Sequence, residues 1–391
     1  MNSSKKDNLS IWTVFICFFS VISQLPMFVT SSKTQLVCFP IWIICFGLFL
    51  FISKGKIARK SIYLLIPTLI FLILVGVDCV VNSVNYLSSS LLYSVLISIF
   101  VFLVGMFIGE SCSDKLYKRT GLSYVITTLI VTLAIFFKYF GFSFNLSSRT
   151  YAYASKNSVA QIIFTAMIIL FLQFRPHKKL HVILKYIVLA IELIVMLLLR
   201  SRAVILELGV CLIVVFLSKN TDKRLKKLMF AVGILAIALL LSSDSIRNAV
   251  INNILLAGRN AKDLDDLSSG RISILSQFPS LIDGHWLFGV GPTYYECFPL
   301  SSILQFGLIP GLLLIIISAI PFAFAVKYKK QSSEWYLLYI ISIGYLINGL
   351  FEGITPFGAG IKCFFMWYLF GILLAKLKSA LRVKNEYKNI T

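Results

Sequence analysis

The chain has 391 residues, 58% of them hydrophobic and only 14% charged, with a net charge of +21 and a mean hydropathy of +0.89. A water-soluble globule carries about 25% charged residues, so this chain has too little polar surface to cover one. Disordered, fibrous and disulfide-framework classes are excluded by the same figures, which leaves an all-α polytopic integral membrane protein.

Lys5 and Lys6 precede a first apolar run, and no small-x-small cleavage site follows it, so the run reads as an uncleaved span rather than a signal peptide. A spanning helix needs about 20 mostly apolar residues. Twelve runs meet that pattern: 11–29, 36–53, 62–80, 91–109, 122–140, 158–174, 182–199, 203–218, 225–241, 301–326, 335–351 and 361–376. Each is expected to be a helix, because hydrocarbon offers no partner to unpaired backbone groups. The tightest connection is the break at 200–202. The basic residues then set the orientation. With both termini cytoplasmic, 26 of the 37 lysines and arginines fall on inner segments, while the outer connection 81–90 holds none. This is the positive-inside pattern of a plasma-membrane protein, and it accounts for the high pI without nucleic acid. The eight cysteines form no CxxC pair, and Cys17, Cys38, Cys45 and Cys211 sit singly in apolar runs, where a thiol acts as a small hydrophobe.

Two outer loops are long. Gly141 to Asn157 forms one; Ser242 to Leu300 forms the other, a large loop 242–300 between the ninth and tenth spans of a single transmembrane domain. Loops beyond about 15 residues are usually functional. In the large loop Asp244 can cap a helix over Ser245–Leu256. Ser268 or Ser269 can cap a second over Arg271–Phe278, stopped near Pro279.

The outer face collects basic side chains that the topology rule would keep inside: Arg149, Lys156, Arg200, Arg202 and Arg271. The planar guanidinium fork suits phosphate, so this set is a candidate site for a lipid-linked pyrophosphate. Glu192 and Glu207, within spans on either side of Arg200 and Arg202, are expected to pair with those arginines. Asp78 is similarly ambiguous. Candidate general bases on the outer side are Asp283, His285, Glu296 and Glu352. No HExxH, GxSxG, P-loop or D-x-D-type pair is read on that side, so no metal or nucleotide cofactor is expected.

Three stretches in order carry a resemblance: Leu198-Leu199-Arg200-Ser201-Arg202-Ala203; Ser269-Gly270-Arg271 with Trp286-Leu287-Phe288-Gly289-Val290-Gly291; and Phe298-Pro299-Leu300 with Gln305-Phe306-Gly307-Leu308-Ile309-Pro310-Gly311. Their order resembles the O-antigen ligase and Wzy-type polysaccharide polymerase superfamily, and Ser155-Lys156-Asn157-Ser158 fits its Gram-positive capsule-type polymerases. The resemblance covers roughly residues 150–325 in motif and the whole chain in layout. It implies transfer of undecaprenyl-pyrophosphate-linked oligosaccharide on the outer face, with Arg202 and Arg271 holding the pyrophosphate. Chain-length regulator and flippase proteins are the partners such an enzyme works beside. The ligase branch carries a His-Asn pair where this chain has Glu296-Cys297, which favours a polymerase and makes Glu296 a candidate base. A ligase remains the closest alternative. A flippase or secondary transporter is the alternative from another class, although the two halves of the chain do not match as transporter halves often do.

Overall fold

The computed structural model describes residues 14–15, 17–31, 34–52, 59–111, 114–140, 156–174, 176, 178–219, 221–256, 259, 263–268, 270–358 and 362–388. Among these the protein is all-helical, with no strand. Six helices are long and apolar enough to cross a membrane: Arg59–Val81, Ser90–Glu110, Lys118–Phe140, Lys156–Gln173, Lys179–Leu198 and Leu308–Tyr328. They turn a broad apolar surface outward, as at Tyr63, Ile66, Ile70, Ile73 and Val80, which suits hydrocarbon rather than water.

The principal helices are α1 (Thr34–Ile52), α2 (Ile62–Val81), α3 (Ser90–Ser111), α4 (Asp114–Ile135), α5 (Lys156–Gln173), α6 (Lys179–Leu198), α7 (Arg202–Leu217), α8 (Lys223–Ser242), α9 (Arg271–Ile282), α10 (Phe298–Phe306), α11 (Leu308–Tyr328), α12 (Ser333–Gly349) and α13 (Phe364–Lys388). They follow the apolar runs with several differences. The run over 11–29 is interrupted at Ser23–Leu25, ahead of a short helix Pro26–Thr30, and α13 continues past the run 361–376 to Lys388. The run over 301–326 is broken at Gly307 (φ 84°) into α10 and α11. Pro279 does not stop α9, which continues to Ile282. The loop helix expected from Asp244 forms as Asp244–Asn248 followed by a π-helical turn Ala249–Leu255.

The most extensive helix pair is α3 with α13. Its backbones approach so closely that a Cβ at Gly105 would lie 2.3 Å from the Tyr368 carbonyl oxygen, and one at Gly371 2.3 Å from that of Phe102. Gly105 and Gly109 form a small-xxx-small face, the device that lets helices pack where lipid competes equally for apolar surface. The aromatic side chains Trp42, Tyr124, Phe364 and Tyr368 fill the interior beside this crossing, and the Trp42 indole N–H donates to Ser20 Oγ at 2.8 Å. Helix α5 is buried on all sides from Val159 to Leu170 and brings two polar groups, Gln161 and Thr165, into the interior.

Candidate functional site

Arg200 and Ser201 form the turn between α6 and α7. Arg200 has a positive φ of 50°, uncommon outside glycine, and is 6% exposed. Ser201, the residue before α7, does not cap that helix; its hydroxyl donates to Asn157 Oδ1 at 3.0 Å. Asn157, in the first turn of α5, in turn donates through Nδ2 to Glu352 Oε1 at 2.7 Å. The other oxygen of Glu352 meets Lys362 Nζ at 3.3 Å, with side chains 10% and 6% exposed. The Ser-Arg step is thus tied by hydrogen bonds to α5 and, through Asn157, to a buried ion pair within the segment between α12 and α13. Arg202 follows as the first residue of α7, presented at the rim of the bundle by this anchored turn.

The second half of the site comes from the long loop. Asp265 receives the backbone N–H of Ser273 at 2.9 Å and its hydroxyl at 2.6 Å, which pins the start of α9. These hydrogen bonds hold Asp265 below the ordinary carboxylate range. Arg271 is the first residue of α9, where the positive end of the helix dipole opposes a cation. Three contacts offset that: Glu296 Oε2 lies 3.4 Å from Arg271 Nε, a guanidinium nitrogen donates to the Phe351 carbonyl at 3.0 Å, and the group lies 5.7 Å from the centre of the Phe351 ring.

The glycine-rich stretch beside it is a clip. Val290 N–H donates to Leu304 O at 2.8 Å, Gly291 N–H to Gln305 O at 3.2 Å, and Leu308 N–H to Trp286 O at 2.8 Å. The segment therefore wraps the end of α10. Gly307 has no room for a side chain, because a Cβ there would lie 2.1 Å from Leu287 O. Tyr86 and Ser89, between α2 and α3, hold Gln305 from the other side through bonds of 2.8 Å each. Motif residues Gly289, Gly291 and Gly307 thus build the bend that delivers Tyr295, Glu296 and Cys297 to Arg271.

Arg202, Arg271 and Glu296 line one cleft of about 310 Å³, walled by Leu206, Leu275 and Phe351. Lys156 feels the charges of Arg259, Arg202 and Arg200 against that of Glu352, so a wider field of positive potential surrounds it. Tyr294 has an exposed ring, but its hydroxyl is desolvated and faced by Glu352 and Glu296, which pushes its pKa up to about 12. The phenol therefore stays neutral near pH 7. An anionic head attached to an apolar chain fits such a cleft: two forked cations for the anion, a carboxylate beside them, and apolar walls. No protein-family model matches the chain, and no curated protein matches it either.

Several expected site residues sit elsewhere. Arg149 lies outside the described residues. His285 and Asp283 are in the exposed turn after α9 and do not line the cleft. Asp78 accepts from Asn82 and from the Tyr86 hydroxyl, so it holds the α2–α3 connection. Glu207 does not rely on the arginines as expected: Gln161 Nε2 donates to it at 2.7 Å and Asn348 Nδ2 at 3.2 Å. Gly344 leaves it space, since a Cβ there would lie 2.5 Å from Glu207 Oε1. Both oxygens of Glu192 lack a hydrogen-bond partner among the described residues. Ser268 caps the first turn of α9 as expected, its hydroxyl accepting the Ile272 N–H at 3.2 Å; sequence reasoning missed Lys362, Asn157 as a bridge, and Asp265 as a second acceptor at that helix start. The expectation that this side holds no D-x-D pair is incorrect: Asp263-Leu264-Asp265 has that spacing, and here Asp263 Oδ1 accepts backbone N–H groups of Asp265 and Asp266.

Proposed function

We propose that this chain is a repeat-unit polymerase of a capsular or other surface polysaccharide, joining undecaprenyl-pyrophosphate-linked oligosaccharides at the outer face of the plasma membrane. The observation that carries the reading is that Arg202 and Arg271, far apart in sequence and singled out by the resemblance, line one cleft with Glu296. In this reading the chain crosses the membrane twelve times with both termini cytoplasmic, and the long loop 242–300 closes over the outer face.

The reaction breaks the bond between the anomeric carbon and the pyrophosphate and forms one from that carbon to the acceptor hydroxyl. The departing lipid pyrophosphate gains negative charge, which Arg202 and Arg271 stabilise in a water-poor cleft. Glu296 takes the hydroxyl proton. Holding donor and acceptor together supplies much of the remaining acceleration. The donor is already activated, so the protein supplies position and charge.

The test is deletion of the gene and complementation with wild type or Arg271→Ala, reading surface glycan on gels and lipid-linked glycan by mass spectrometry. A polymerase deletion leaves single lipid-linked repeats on the outer face, and Arg271→Ala fails to restore the ladder at normal membrane levels. Full-length chains left on the lipid carrier would instead mean a ligase. Repeats trapped on the cytoplasmic side would mean a flippase.

A further inference from the structure

The end of the bundle opposite the arginine cleft has its own structure. Helix α7 runs from Arg202 at the cleft to Leu217 over 16 residues, about 24 Å at 1.5 Å per residue. There a cavity of about 720 Å³ opens among the connections that follow α5, α7 and α11. It is lined by Lys185, Lys329 and Lys330 against a single acid, Asp222, and by the hydroxyl-bearing Ser332 and Tyr336. Two of the lysines are held in place. Lys185 Nζ donates to the carbonyls of Phe174 at 2.6 Å and Phe171 at 3.2 Å, and Lys329 Nζ sits 4.0 Å from the centre of the Tyr339 ring.

A second cavity, of about 860 Å³, is an apolar groove between α5, α6, α7 and α8. Phe171, Tyr186 and Leu228 line both, so the basic cavity adjoins the end of the groove. Helix α8 stands off the bundle along it, leaving Phe230, Ile234 and Ile237 exposed. The groove extends along α8 from Leu228 to Ile237 and along α7 from Leu208 to Leu217, ten residues in each case, or about 14 Å from first to last. That is close to half of the roughly 30 Å hydrocarbon core, the depth of one leaflet.

We propose that the groove and the basic cavity together bind one anionic phospholipid of the leaflet at which the basic connections lie. Its phosphate rests among Lys329, Lys330 and Ser332, and one acyl chain lies between α8 and the α5–α7 wall. Positive charge at headgroup depth selects the anionic headgroup; the apolar groove of one-leaflet length takes the chain. The lipid fixes α8, which leads directly into the loop carrying Arg271. This inference stands apart from the polymerase reading and survives its failure.

The test uses the full chain, purified and delipidated in a non-ionic detergent. Its thermal unfolding is followed with phosphatidylglycerol or phosphatidylcholine added in mixed micelles, and with inorganic phosphate alone. Phosphatidylglycerol is expected to raise the midpoint by several degrees more than phosphatidylcholine and to bind at least tenfold tighter. Lys329→Ala/Lys330→Ala removes that preference, each lipid's response being read against the variant's own midpoint in detergent. Gly233→Phe, whose added Cβ meets nothing within 4 Å on the groove side of α8, fills the groove and weakens retention of both lipids. Equal responses to the two lipids, or a preference that survives the double lysine variant, would overturn the proposal. An equal shift from inorganic phosphate would overturn it too, in favour of a free-anion site.

Discussion

Lys362 and Glu352 are 6% and 10% exposed and 3.3 Å apart, so neither charge can be left alone at low cost. At an effective dielectric of about 20, two unit charges at 3.3 Å attract by about 5 kcal/mol. Removing one partner of a buried pair costs about 3–5 kcal/mol, because the survivor remains desolvated. Lys362→Met keeps the bulk of the stem and deletes the charge. For a chain of this size 1 kcal/mol corresponds to about 1–2 °C in Tm, so a fall of about 3–10 °C is expected. Glu352→Gln is expected to do the same by stranding the lysine, while its amide oxygen can still accept from Asn157. The double variant strands neither charge and should recover most of the loss, giving a coupling energy of about 3 kcal/mol. Thermal unfolding of the four proteins in one detergent measures this. Single variants within about 1 °C of wild type, or a double variant equal to the sum of the singles, would refute the assignment of this pair as the anchor of the Ser-Arg turn.

On the polymerase proposal, Arg271→Ala is expected to lower polymer formation by about 10²–10³-fold, whereas Arg271→Lys restores the charge but not the fork and so only part of the activity; ladder length at matched membrane levels reads both. Gly307→Ala introduces a Cβ 2.1 Å from Leu287 O at a φ of 84°, so it should cost about 2–4 kcal/mol and appear as reduced levels of folded protein by fluorescence-detected size exclusion. Tyr294 carries a raised pKa of about 12, so its contribution to stability is complete below the ordinary value near 10 and is lost between pH 10 and about 12. Tyr294→Phe should remove one component from the tyrosinate absorbance titration at the top of that window and leave the curve below pH 10 unchanged.

The helices were legible because hydrocarbon imposes a one-dimensional rule: backbone groups pair within a segment, and the segment must be long and apolar. That rule places α2, α5 and α6 within a few residues. It says nothing about helix interruptions set by other parts of the chain, so Gly307 was read through as one span although Leu287 on the neighbouring clip forces the break there. The α3–α13 crossing was not expected: Gly105 and Gly109 form a small-xxx-small pattern, but it names only one side of a contact, and Gly371 comes from the far end of the chain.

The site divides along the same line. Residue type alone marked the outer arginines, and the ordered motifs selected Arg202 and Arg271 among them; the cleft brings these two together with Glu296. Composition gave no means to choose among Glu296, Glu352 and His285 as bases. The choice depends on packing: Glu352 is taken up by Asn157 and Lys362, His285 stays in an exposed turn, and Glu296 faces the guanidinium. Most of the conspicuous motif glycines do no chemistry. Gly289, Gly291 and Gly307 set the path of the backbone around the end of α10, which fixes where Glu296 meets Arg271. Substitutions at these glycines should therefore lower the amount of folded protein, whereas substitutions at Arg202, Arg271 and Glu296 should lower turnover in protein that still folds.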